Sequence, residues 1–468
     1  MKTARSDLKT QSLNDARNSL FWPALAIMYF ASRVIFFPLG YGVDSDAWRV
    51  AKTGIDFIGK GIYSPSRPPG YPAMEILVGL LKSSFASNLA IAILGFAAII
   101  AFHFLCKQLA LPRPRLTTIV FAFTPLFLVF SATTMDYIPS LTFVLWALVT
   151  AGMGLFPISG FLFGMSLAFR PAGVILLPCW LYYLWLNKMS KKDALFSILA
   201  MASVVAICFI TLLVGSSNGA SSVPFSLDLA LLQRFVFILY RSYGAFDLLG
   251  WIAILIGLYH VFLKAKTHDI AEILFVLSAL PFIALWIVLP HESAYWLTLL
   301  PFILLAIFTV KFKKKIMLFL GLMLILPAFI SITPRLKTPT GYILRPNITR
   351  GIVIEDIVVR RRIMRYRSLL SKTAFPDNSL VICGRSSAYF ELNTDFEFIG
   401  ELKGHDMWRS KTSEVYFVDG VSKMTVDSWL SEGKKVFILE EAVPATKMTF
   451  GWLPEELGVE VVKLGDGY

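Results

Sequence analysis

Charge is scarce in this 468-residue chain: Asp, Glu, Lys and Arg make up 16% of it, where soluble domains carry about 25%. Histidine is scarcer still, at 5 residues. The 4 cysteines, Cys106, Cys179, Cys208 and Cys383, show no Cys-x-x-Cys or Cys/His ligand spacing. Neither a disulfide framework nor a zinc site is indicated. No Walker A, Gly-x-Gly-x-x-Gly or Gly-x-Ser-x-Gly sequence stands at a strand–helix turn. What the chain has in quantity is apolar sequence: 56% hydrophobic residues and a mean hydropathy of +0.67. Soluble cores of this size cannot hide that fraction, so the composition reads as a polytopic α-helical membrane protein.

The net charge of +13 is distributed unevenly. Up to Ser331 there are 25 Lys and Arg against 13 Asp and Glu; from Pro334 to Tyr468 there are 19 against 18. The excess therefore belongs to loops between apolar runs, where positive charge orients membrane helices. A nucleic-acid-binding domain would concentrate it in one soluble module, so no nucleic-acid partner is expected.

A bilayer core of about 30 Å needs about 20 apolar residues in a helix. Eleven runs are candidates, from Leu20–Leu39 to Ile316–Ile332. The first is not read as a cleaved signal peptide, because it carries Arg33 and no small-residue cleavage site follows. With the N-terminus in the cytoplasm, the inner segments hold 16 basic residues against 8 on the outer ones, as the positive-inside rule requires. An odd number of spans then places the tail outside. The expected organisation is a transmembrane domain over residues 1–333, with a first outer loop over 41–87, and an extracytoplasmic α/β domain over 334–468. That tail begins with a basic helical stretch, Arg360–Arg367, expected to lie along anionic headgroups or else to meet the donor or an anionic acceptor directly. Short strands are expected at Leu380–Cys383, Phe396–Ile399, Val415–Val418, Val436–Leu439 and Val459–Val462, and a helix at Met424–Ser431.

The candidate chemistry gathers on the outer face. The first outer loop reads Gly42-Val-Asp-Ser-Asp-Ala-Trp48, then Arg67-Pro-Pro-Gly-Tyr-Pro72. Asp44 and Asp46 can meet at one reaction centre if the loop is extended or tightly turned, one as general base, the other orienting the acceptor or holding a divalent metal ion. A solvated loop is the plainer reading of two such acids. Arg170, Arg67 and Arg241 offer planar guanidinium forks to a phosphate, or else bind lipid headgroups. His291 and Glu292 lie between two apolar runs, suited to a phosphate, a metal, an acceptor or a structural pair. Asp136 either contacts substrate or caps the following helix. Arg33 and Glu75, inside apolar stretches, are functional suspects or pairing groups of the bundle.

Asp44–Pro72, followed by Phe161–Pro171 with its terminal Arg170 and by His291–Pro301, resembles the GT-C superfamily of membrane glycosyltransferases. Its relatives include the protein O-mannosyltransferases and the lipid A aminoarabinose transferases. The resemblance implies an inverting transferase that moves a sugar from a polyprenyl-phosphate donor to an extracytoplasmic glycan, lipid or protein acceptor, in the plasma (inner) membrane. It implies a first-loop acid as base, with Asp46 the better match because Trp48 follows it, and Asp44 assisting. A transporter or flippase of lipid-linked glycans is the alternative. It would favour internal repeats and discontinuous helices, and no repeat is visible here.

Overall fold

The computed structural model describes residues 20–215, 231–264, 269–288, 293–337 and 343–464, apart from positions 62, 68, 385, 403 and 404. The helical part runs through α1 (Leu20–Phe36), α2 (Ser45–Lys60), α3 (Pro72–Leu81), α4 (Ser84–Gln108), α5 (Pro114–Phe123), α6 (Pro125–Phe130), α7 (Tyr137–Gly152), α8 (Phe156–Phe169), α9 (Leu177–Leu186), α10 (Lys191–Gly215), α11 (Leu231–Lys264), α12 (Ile270–Val288), α13 (Trp296–Thr309) and α14 (Lys314–Ile325). Four of these, α4, α10, α11 and α12, are long and apolar enough to cross a membrane. Other apolar helices fall short. The 16 residues of α7 extend only about 24 Å at 1.5 Å per residue.

Local chemistry explains several of the shorter elements. The apolar run Thr118–Ala132, one of the eleven candidate spans, is broken because Pro125 cannot continue α5 and instead opens α6. Arg33, fully buried on α1, takes up the broken segment. It donates to the Ala122 carbonyl at 2.5 Å and to Ser131 Oγ at 3.1 Å, and lies 3.9 Å over the Tyr29 ring. Of its two expected roles, the structure gives Arg33 the pairing one. The last expected span also ends early. After α14 the chain turns at Pro327 and enters β1 (Ile330–Lys337), which pairs antiparallel with β2 (Ile343–Arg350).

The first outer loop is largely helical. Asp44 caps α2 by accepting the Asp46 N–H at 2.9 Å, the ordinary N-cap arrangement, and Gly61 closes the helix in the left-handed region at φ 68°. Ala47, Val50, Ala51 and Gly54 recur at helical spacing and are buried. Gly54 and Gly79 let α2 and α3 touch backbone to backbone: a Cβ on Gly54 would sit 2.7 Å from the Gly79 nitrogen.

Beyond β2, α15 (Ile352–Leu370) leads to β3 (Ser379–Ile382), α16 (Ser386–Phe390), β4 (Phe396–Leu402), β5 (His405–Ser410), β6 (Val415–Val418), α17 (Lys423–Ser431), β7 (Lys435–Leu439), α18 (Val443–Phe450), α19 (Pro454–Leu457) and β8 (Glu460–Val462). The sheet order is β4-β5-β6-β3-β7-β8; β6, β3, β7 and β8 run parallel, and β5 is antiparallel to both of its neighbours, β4 and β6.

The basic stretch on α15 does not all face outward, as a headgroup-binding helix would. Arg360 is buried; it pairs with Asp356 at 2.6 Å and donates to the Ala132 carbonyl at 3.0 Å and to Thr133 Oγ1. Arg367 lies 4.4 Å over the Trp48 ring and donates to the carbonyls of Ala388, Tyr389 and Glu391. With the Arg49–Asp406 ion pair at 2.5 Å, these contacts seat the α/β part on α2.

Glu391 is buried at this seam among Lys52, Arg49 and Asp56 of α2 and Asp406 of β5. Burial, against the pull of Lys52 and Arg49, pushes its carboxyl up to about 7. The folded chain therefore holds a proton there that the unfolded chain, with an ordinary value of 4.5, has released. The sign follows: stability falls as pH rises from about 4.5 through about 7, by on the order of 3 kcal/mol. Melting the purified chain between pH 5 and 8 measures this, and Glu391→Gln should flatten that part of the profile.

Candidate functional site

The Pro-rich loop after α2 owes its shape to Glu75 on α3. This buried carboxylate accepts from Tyr63 Oη, from the Ser66 N–H at 2.9 Å and from Ser66 Oγ at 2.5 Å. The loop so fixed presents Arg67, 4.1 Å over the Tyr71 ring. Arg67 then bridges two acids, Asp46 at 2.9 Å and Asp136 at 2.8 Å. Asp136 also pairs with Arg170, whose guanidinium lies 3.9 Å over the Tyr137 ring. Asp46–Arg67–Asp136–Arg170 is thus one continuous line of alternating charge, from the first turn of α2 to the end of α8.

Burial governs how this line titrates. Asp136 has no exposed surface. Burial alone would raise its carboxyl, but Arg170 and Arg67 overcome that and hold it below the ordinary value of 3.8. Arg67 is likewise disfavoured by burial, and Asp136 and Asp46 raise it well above its ordinary value. Asp136 and Arg67 therefore both stay charged near neutrality.

Asp46 lies in this line and Asp44 does not. In a helical first turn, residues two apart do not share a face. Asp46 pairs with Arg67 and approaches Arg49 at 3.6 Å. Asp44 caps the helix and lines a separate cavity of about 1040 Å³ between the helical part and the α/β part. This arrangement does not suit the expected metal pair, since one acid serves a cap and the other faces guanidinium groups. Among the described residues no group of three or more His, Cys, Asp or Glu could hold a metal ion.

The cavity has an unequal lining. Leu126, Val129 and Phe130 of α6 contribute apolar surface, and Asp44, Arg241 of α11, and Glu355, Asp356 and Arg362 of α15 contribute charge. Arg241 Nε has no hydrogen-bond partner among the described residues. Arg170 opens instead on a small pocket among Ile175, Phe282, Leu285 and Tyr295. His291 and Glu292 lie outside the described residues.

Comparison with protein-family models, with curated proteins and with solved structures returns no match. Function must be argued from the site itself.

Sequence reasoning missed the cavity's acids on α15, Glu355 and Asp356, along with Tyr389 and Glu441, but its basic stretch included Arg362. The signal available was the charge density of residues 355–367, which reads equally well as a surface helix. Only the docking of α15 against Ala132 and Thr133 turns part of it inward.

Proposed function

We propose that the chain is an inverting membrane glycosyltransferase that takes a sugar from a polyprenyl-phosphate donor and passes it to an extracytoplasmic glycan, lipid or protein. The carrying observation is that acids and cations, Asp44 and Arg241 among them, line one cavity together with the apolar residues Leu126, Val129 and Phe130. A donor of this class is half apolar chain and half anionic headgroup, and the cavity offers a counterpart to each half.

In this reading Asp44 accepts the proton of an acceptor hydroxyl. The oxygen attacks the anomeric carbon as its bond to the phosphate oxygen breaks. The polyprenyl phosphate leaves with that electron pair, and Arg241 meets the anionic charge. Arg67, Asp136 and Arg170 hold the first loop against α7 and α8. The eleven-span topology, with the N-terminus cytoplasmic and the α/β part outside in the plasma membrane, belongs to the same proposal.

The flippase alternative draws on one feature, the break in α11 at buried Asp247, which takes φ 60° and ψ 177°. Its carboxylate is, however, engaged by the chain itself, accepting from Ser331 Oγ and from the Leu248 N–H at 2.5 Å. A tie between α11 and β1 accounts for it.

The test is transfer of radiolabel from polyprenyl-phosphate sugars to membrane extracts by the purified chain in proteoliposomes. Label should move with the wild type and not with Asp44→Asn. Equal transfer by both would remove the proposal, and movement of the intact lipid-linked sugar between leaflets would put the flippase in its place.

A further inference from the structure

Part of the cavity's lining comes from the C-terminal sheet, at a particular point in its topology. β3 and β7 are parallel neighbours, pairing Ser379 with Lys435 through Ile382 with Ile438. From β3 the chain proceeds through α16, β4 and β5 to β6 on one side; from β7 it proceeds through α18 and α19 to β8 on the other. Adjacent parallel strands whose continuations depart in opposite directions leave a crevice beyond their carboxyl ends, where open α/β sheets take their ligands. Here those ends are Cys383 and Gly384 after β3 and Glu441 after β7, and all three line the cavity.

Gly384 shows how closely the two loops meet. It takes φ +73°, and an added Cβ would lie 3.1 Å from the Ala442 Cβ. A second observation is independent of topology. Tyr389, on α16, is fully buried and lines the cavity, yet its hydroxyl has no hydrogen-bond partner among the described residues. Buried hydroxyls ordinarily find a partner, and one without invites explanation by a ligand.

We infer that the switch point of the C-terminal sheet is a sugar-binding subsite, in which the Tyr389 hydroxyl bonds a hydroxyl of a pyranose or furanose ring. Ring hydroxyls donate and accept at once, which suits a lining that holds both a phenol, Tyr389, and a carboxylate, Glu441. The polyprenyl phosphate itself has no use for such a lining; its needs are met by α6 and Arg241. The inference rests on the glycosyltransferase reading, and the ring could be the donor's or the acceptor's.

The experiment uses the full chain in nanodiscs and measures binding of three kinds of probe. They are a polyprenyl phosphate without sugar; the same lipid carrying mannose, glucose, galactose or an aminopentose; and the octyl glycosides of those sugars. At least one sugar-bearing lipid should bind about tenfold more tightly than the bare lipid phosphate, the size of one well-made hydrogen bond to a buried partner. Tyr389→Phe should remove that increment, leave binding of bare lipid phosphate unchanged, and leave the melting temperature of the unliganded chain equal or higher, since it deletes a hydroxyl that bonds nothing there.

An octyl glycoside that competes with the sugar-bearing lipid identifies the ring as the donor's; one that binds alongside it identifies the acceptor's. The subsite is overturned if no sugar improves on bare lipid phosphate, or if Tyr389→Phe keeps the increment. It is also overturned if that variant melts lower and weakens both lipids alike, the mark of a structural tyrosine. Failure of the bare lipid phosphate to bind at all would instead sink the glycosyltransferase reading beneath it.

Discussion

Asp44→Asn should lower sugar transfer by about 10²- to 10⁴-fold, the range ordinarily lost with a general base, while leaving the melting temperature close to that of the wild type. Asparagine caps a helix as well as aspartate does, so the substitution keeps the bond to the Asp46 N–H and removes only the charge. Asp46→Asn should behave differently. It weakens the pairing of Arg67, which is 2.9 Å away, so it should reduce stability and turnover together, each partially. The first-loop pattern with Trp48 favours Asp46 as the base, and the proposed reading takes Asp44 instead, because Asp44 lines the cavity while Asp46 pairs with arginine. Measuring kcat and melting temperature for both variants separates the two. A large kcat loss in Asp46→Asn, with Asp44→Asn near wild type, would return the base to Asp46.

Why the sequence left this open is a matter of α2. Its 16 residues carry Asp46, Arg49, Lys52, Asp56 and Lys60, and so polar a stretch between two Gly-containing turns reads as a loop. It becomes a helix with a buried face because α3 and the distant α/β part cover it. Trp48 lies under Arg367, more than three hundred positions away. The spacing of Asp44 and Asp46 was plain from the start; whether two acids two residues apart converge depends on the backbone between them, and that is fixed by partners elsewhere in the chain.

The same distinction runs through the rest of the fold. Strands β3, β6 and β7 were legible as short apolar runs because both faces are covered. The hairpin of β1 and β2 was not. Pro334 and Pro346 stand opposite one another in it, and proline ordinarily argues against a strand with two partners; only an isolated two-stranded ribbon accommodates both. β5, reading His405-Asp-Met-Trp-Arg-Ser410, has no apolar run and exists by pairing with β4 and β6. Arg170 and Asp136 were visible as unusual charges beside apolar runs. Their mutual contact joins residues 34 positions apart, which periodicity does not disclose.

That contact supports the largest expected effect on stability. Asp136→Ala leaves Arg67 and Arg170 facing each other in a buried site without the anion that separates them. Removing one partner of a buried ion pair costs about 3–5 kcal/mol, and here two cations lose it at once, so the variant should melt far below the wild type or fail to accumulate in the membrane. The informative comparison is a double variant, Asp136→Leu with Arg170→Met. Apolar groups of similar volume can replace a buried pair with little loss, and Arg67 keeps Asp46 as its partner. The double variant should therefore recover most of the lost stability, as read by thermal melting in detergent. Its transfer activity then reports what the Asp136–Arg170 pair does. Recovered stability with full turnover makes the line of charges a brace for the first loop and nothing more; recovered stability with turnover still reduced about 10-fold or more means that the Asp136–Arg170 pair also helps place the reacting groups.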